Sequence, residues 1–227
     1  MPENQQSIFV QWAEWHALVT VAGLTMGLTL SVEGGLFVCA SLSFIFFVFH
    51  SRGQWTSKQR FGWANTITSV RIMGILYLLF ETTLRSQTIF ALAVILFALD
   101  AADGWLARRY GLVSEFGEYF DKEADALFML VLCLLLYRNQ GVGLWVLFPG
   151  TLRYLFVVFM RFAKPVKQKE SRNQWGCWIF FLMMSSLILC FTPYIDLFLP
   201  VLIVMTVVLV GSFAHSIKDL YVLEKLK

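Results

Sequence analysis

Apolar runs, each about as long as a bilayer is thick and joined by short polar stretches, leave this chain few folds to choose from. A membrane-crossing helix needs about 20 mostly apolar residues. By that measure eight candidates lie at roughly 15–32, 35–50, 68–84, 87–107, 118–138, 142–162, 176–194 and 197–216. Composition agrees: 58% of the 227 residues are hydrophobic and 15% charged, with a mean hydropathy of +0.68, far to the apolar side of a soluble domain. The expectation is an all-α integral membrane protein. Its first two runs, separated only by Glu33, Gly34 and Gly35, read as a tight hairpin. The polar stretch SRGQWTSKQRFGWANT then divides residues 1–59, hairpin and connector, from a six-helix block over 60–227.

No Lys or Arg precedes the first apolar run, so the positive region of a cleavable signal peptide is missing and the first helix is expected to be retained. Eight spans put both termini on one side. Fourteen of the 18 Lys and Arg fall on that side, Arg85 and Arg138 fall opposite, and Arg71 and Arg153 lie within expected helices. Basic residues accumulate in cytoplasmic loops, so both termini are expected in the cytoplasm, and a bacterial inner membrane is the expected location. The 22 Phe and 8 Trp suit lipid contact and interfacial belts. Cys39, Cys133, Cys177 and Cys190 lie in apolar segments without CxxC or zinc-ligand spacing and read as small packing residues. His16, His50 and His215 sit near the ends of apolar runs, where an interfacial or solvated role is expected.

Against this background the stretch LDAADGWLARRYGLVSEFGEYFDKEADAL, residues 99–127, holds four aspartates. Asp100 and Asp103 are three residues apart and Asp121 and Asp125 four, so on helices each pair occupies one face. Gly111 and Gly117 fall between them, where the chain turns back. Two adjacent antiparallel helices would then offer four carboxylates to one pocket. Burying even one such charge costs several kcal/mol unless it is compensated. Hard divalent cations such as Mg²⁺ or Mn²⁺ suit an all-oxygen site, and four carboxylates can hold two of them about 4 Å apart, an arrangement used for displacement at phosphorus. Solvated interfacial aspartates or a cation transporter would also place carboxylates here, but neither accounts for the residues between the pairs.

Those residues carry a resemblance. Asp100, two residues, Asp103-Gly104, two residues, Ala107-Arg108, eight residues, Gly117, three residues, Asp121, three residues, Asp125 resembles the signature of the CDP-alcohol phosphatidyltransferase family at all eight fixed positions. A chance match in a chain this size is on the order of one in 10⁸ at background residue frequencies. Asn65, Thr68 and Arg71 are similar to the family's upstream N-x-x-T-x-x-R element. The resemblance covers about residues 60–216 and leaves the N-terminal hairpin outside.

The resemblance implies metal-dependent transfer of a phosphatidyl group from CDP-diacylglycerol to the hydroxyl of a small polar alcohol, with release of CMP. It implies that Asp100, Asp103 and Asp121 bind one divalent cation, Mg or Mn, that Asp100, Asp121 and Asp125 bind a second, and that Asp125 is also the general base. Asn65, Thr68, Arg71, Gly104, Ala107, Arg108 and Ser114 would bind the CDP-lipid: the small Gly104 and Ala107 allow close approach to the backbone, and the Arg108 fork suits phosphate oxygens. Gly117 reads as a packing residue and Arg109 as an interfacial anchor. The partners implied are these two substrates, membrane lipids and a second copy of the chain in a homodimer; no nucleic acid is expected.

The acceptor is read from RYLFVVFMRFAKPVKQKESR, residues 153–172, with six basic residues and one acid. Related enzymes with a phosphorylated acceptor place basic residues in this region, so the resemblance implies that Arg153, Arg161 and Arg172 hold an acceptor phosphate, whereas Lys164, Lys167 and Lys169 suit a loop drawn to anionic lipids. Glycerol 3-phosphate is the first choice. Family members with phosphorylated acceptors often carry a Gly-Lys pair at the next helix, where this chain has Gly176-Cys177, so inositol phosphate and serine stay open. A CDP-aminoalcohol transferase acting on diacylglycerol is the enzymatic alternative; a divalent-metal transporter or a silent scaffold is the alternative outside the enzyme class.

Overall fold

The computed structural model describes residues 8–30, 34–56, 60–81, 83–110, 114–163 and 174–225, except for the side chains of 103, 105–108, 174 and 219–225. Among these residues there are helices and no strands: α1 Ile8–Thr29, α2 Gly35–His50, α3 Trp63–Phe80, α4 Ser86–Arg109, α5 Glu115–Asn139, α6 Leu147–Ala163 preceded by a 3₁₀ turn at Leu144–Val146, α7 Gln174–Leu189 and α8 Ile195–Lys225. Each apolar run becomes one helix. The polar ends differ from expectation: α1 starts at Ile8, α3 at Trp63, and α8 continues past residue 216 to Lys225. Hydropathy marks where lipid contact would end, whereas backbone hydrogen bonding continues through polar residues such as Gln11 and Asn65.

Three helical segments among the described residues are long and apolar enough to cross a membrane: Trp63–Phe80, Leu144–Ala163 and Ile195–Lys218. Gly35–His50, Ser86–Ala102 and Trp175–Leu189 are shorter apolar helices. Large aliphatic side chains stand exposed along α8, among them Leu197, Val201, Val204 and Val207. That much uncovered apolar surface is foreign to a water-soluble monomer, and the chain is a membrane protein.

The chain divides into two compact units, residues 1–84 with 92–128, and residues 85–91 with 129–227. In the first, α1 and α2 lie antiparallel in close contact. A Cβ on Gly23 would sit 3.0 Å from the Gly35 carbonyl oxygen and from Leu36 Cα, so the absent side chain sets the spacing. The free ends of this pair pack on the first turns of α5 through aromatic rings: Phe47 stacks on Phe116 at 4.8 Å, Phe9 meets Phe116 at 6.4 Å, and Phe44 meets Phe120 at 5.9 Å. These Phe residues are core, and Phe116 and Phe120 are essentially inaccessible.

His16 corrects an expectation. It is fully buried rather than solvated, stacked on Trp12 at 5.0 Å with Nδ1 2.8 Å from Ser43 Oγ. Burial of an imidazole requires such a partner, and a serine on a neighbouring helix is invisible to a reading of local sequence. His50 and His215 are exposed.

In the second unit α7 packs along α8, and Phe156 of α6 meets Phe213 of α8 at 5.4 Å. Gly150 lets α6 approach α5 closely: a Cβ there would fall 2.8 Å from Leu130 Cα. Every residue of α5 from Ala126 to Leu136 is buried, as an all-round apolar helix must be.

Candidate active site

In the first unit four charged side chains from three helices meet at one place. Asp121 and Asp125 stand one turn apart on α5, Asp100 lies on α4, and one carboxylate oxygen from each lies within 4.8 Å of the others. From α3, Arg71 reaches between them. Its Nη1 is 2.8 Å from Oδ1 of both Asp100 and Asp121, and its Nη2 is 2.6 Å from Asp125 Oδ1. The Arg71 side chain is 1% exposed, whereas those of Asp100, Asp121 and Asp125 are 25%, 39% and 22% exposed. The guanidinium is therefore the buried floor, and the carboxylates open outward from it.

Three carboxylates facing one guanidinium leave a formal excess of two negative charges among these four side chains. The donor set is all oxygen and closely spaced, the chemistry preferred by hard divalent cations. These residues fit such a cation. Asp103 lies on α4 one turn after Asp100, but its side chain is outside the described residues, as are those of Ala107 and Arg108; Gly104 is half-buried on the same helix.

A hydrogen-bonded cluster ties the start of α3 to the start of α5. Ser114 caps α5: its Oγ accepts from the Gly117 N–H at 3.0 Å, satisfying an amide with no partner inside the helix. The same hydroxyl donates to the Trp55 carbonyl at 2.7 Å. Asn65 donates through Nδ2 to the carbonyls of Phe61 at 2.6 Å and Trp55 at 3.3 Å, and Thr68 donates to Ala64 O at 3.1 Å. A Cβ on Gly117 would lie 3.0 Å from Asn65 Oδ1 and 3.2 Å from Ser114 Oγ. Asn65, Thr68 and Ser114, expected at the nucleotide, thus have internal partners here.

Arg153 and Arg161 lie half-buried on α6, in the second unit. Arg172 and Lys164, Lys167 and Lys169 fall outside the described residues.

Two features escaped the sequence reading. Arg71, expected at the CDP-lipid, pairs with the three carboxylates; the signal available for that pairing is an arginine inside an apolar helix, which calls for an acidic partner. The Trp55 carbonyl gives no signal, because a main-chain acceptor is the same at every residue.

The sequence profile described as CDP-alcohol phosphatidyltransferase matches residues 61–213, from just before α3 to within α8, and the chain belongs to that family. Proteins named CDP-diacylglycerol–glycerol-3-phosphate 3-phosphatidyltransferase are similar to part of it. The one from Rickettsia felis is 33% identical over 82 residues, covering 34% of this chain and 45% of the relative. The one from Pseudomonas fluorescens is 34% identical over 90 residues, covering 37% and 44%. The matched stretch spans less than half the length of these relatives. No solved structure matches the chain.

Proposed function

We propose that this protein is a phosphatidyltransferase of phospholipid synthesis, transferring the phosphatidyl group of CDP-diacylglycerol to glycerol 3-phosphate and releasing CMP. The observation that carries the reading is the convergence of Asp100, Asp121 and Asp125 within 4.8 Å, inside the family-matched region. The names of the bacterial relatives support the acceptor.

Asp100, Asp103 and Asp121 would hold one divalent cation and Asp100, Asp121 and Asp125 a second, Mg²⁺ or Mn²⁺. Bound there, divalent cations supply charge neutralisation for the diphosphate and for the departing CMP. Asp125 takes the proton from the acceptor hydroxyl as its oxygen attacks the lipid-side phosphorus. One P–O bond forms to the acceptor, the P–O bond to CMP breaks, and CMP leaves with the electron pair. Gly104, Ala107 and Arg108 would border the diphosphate, Asn65, Thr68 and Ser114 the cytidine end, and Arg153, Arg161 and Arg172 the acceptor phosphate. Arg71 holds the carboxylates in register from beneath.

In the same reading the eight helices all cross the membrane, both termini and the site face the cytoplasm of a bacterial cell, and the enzyme works as a homodimer. The asymmetry of Lys and Arg along the chain supports this orientation.

The test is CMP release from CDP-diacylglycerol by the purified protein with Mn²⁺ or Mg²⁺, across glycerol 3-phosphate, inositol phosphate, serine and no acceptor. Release with glycerol 3-phosphate alone, abolished in Asp125→Asn, is expected. Release with another acceptor would replace the substrate. No release with any of them, under either metal, would overturn the activity.

A further inference from the structure

The connector between α2 and α3 lies almost wholly before the family-matched residues 61–213, yet one of its residues touches three helices. The Trp55 indole N–H donates to Val48 O at the end of α2, 3.0 Å away. Its ring meets Phe61 edge-on at 5.3 Å, and Phe61 in turn contacts Phe116 and Phe120 of α5. Its carbonyl accepts from Ser114 Oγ at the start of α5 and from Asn65 Nδ2 in the first turn of α3. At a rise of about 1.5 Å per residue, Arg71 lies about 9 Å along α3 from Asn65, and Asp121 about 10 Å along α5 from Ser114.

We infer that Trp55 is a positioning residue for the carboxylate site: by gathering Asn65 and Ser114 on one carbonyl, it fixes α3 against α5 and thereby Arg71 against Asp121 and Asp125. The inference rests on the reading of that site as a divalent-cation centre. The hydrogen-bonding capacity of the clasp is well used. The carbonyl accepts twice, the Ser114 hydroxyl donates to Trp55 and accepts from Gly117, and the Asn65 amide donates twice. Gly117 leaves no slack, since even a methyl group would press on both side chains. The indole explains why this residue is a tryptophan. Phenylalanine would keep the ring contact with Phe61 but lose the bond to Val48 that holds the peptide in place. Through this anchor the N-terminal hairpin acts on the carboxylate site.

A purely structural role would lower stability and leave the folded protein's metal affinity unchanged; a positioning role alters that affinity. The experiment compares the full chain in detergent with Trp55→Phe, Ser114→Ala and Ser114→Thr. Amide hydrogen exchange is followed over residues 115–121, and Mn²⁺ binding by electron paramagnetic resonance. For Trp55→Phe and Ser114→Ala, exchange in the first turns of α5 is expected to rise about fivefold, the equivalent of one hydrogen bond, with α8 unchanged. Mn²⁺ affinity should fall about as much, and Ser114→Thr, which keeps the hydroxyl, should retain both values. Faster exchange with unchanged Mn²⁺ affinity would overturn the positioning role, and unchanged exchange would overturn the clasp itself. Failure of the wild-type chain to bind Mn²⁺ would overturn both the metal centre and the positioning role, while exchange would still report on the clasp.

Discussion

Arg71 Nη2 lies 2.6 Å from Asp125 Oδ1, an ion pair between residues 54 apart in the chain. The same guanidinium reaches Asp100 and Asp121 through Nη1. A planar fork can serve three carboxylates on two helices at once, whereas the ammonium of lysine is a single point charge on a flexible stem.

Arg71→Met should therefore destabilise the metal-free protein, because it leaves three carboxylates facing one another. Breaking a fully buried pair costs about 3–5 kcal/mol; with the carboxylates 22–39% exposed, solvent screening reduces the expectation to about 2 kcal/mol. Arg71→Lys should fall between Met and wild type. Thermal denaturation with EDTA and with Mn²⁺ reads the effect. Mn²⁺ should recover more stability in the Met variant than in wild type, and equal recovery in both would remove Arg71 as the counter-ion.

Gly62 precedes α3 with φ 78° and ψ 152°, a conformation open almost only to glycine. Gly62→Ala should cost about 1–3 kcal/mol in backbone strain and displace the Phe61 carbonyl that Asn65 bonds. A lowered thermal midpoint is expected, and an unchanged midpoint would show that the turn relaxes freely.

Gly150 and Gly211 offer an internal contrast, since both lie inside helices. A Cβ at Gly150 meets backbone at 2.8 Å, whereas one at Gly211 meets nothing within 4 Å. Gly150→Ala should destabilise by about 1–3 kcal/mol through overpacking. Gly211→Ala should be neutral or stabilise by up to about 1 kcal/mol through helix propensity. Their thermal midpoints should move apart, and a common shift would contradict the packing described.

Much of this was legible in the sequence where a local pattern forces the answer. Apolar runs of bilayer length became helices, and the spacing of Asp121 and Asp125 put both carboxylates on one helical face. What depends on distant partners was not legible. His16 found Ser43, Phe9 found Phe116, and Arg71 found Asp125, each across a separation over which periodicity says nothing. The helices α1, α3 and α8 run beyond polar ends of the expected spans because hydropathy reports contact with lipid, and a helix does not stop where lipid stops.

Binding of Mn²⁺ to the purified full chain, followed by electron paramagnetic resonance, tests the central claim most directly. Asp121→Asn is compared with Glu118→Gln, whose carboxylate pairs with Lys122 at 2.8 Å on the same helix. Saturable binding by wild type and Glu118→Gln, lost or weakened at least about tenfold in Asp121→Asn, is the expected result. Equal binding by all three, or binding that fails in Glu118→Gln and survives in Asp121→Asn, would contradict a metal centre built on Asp100, Asp121 and Asp125.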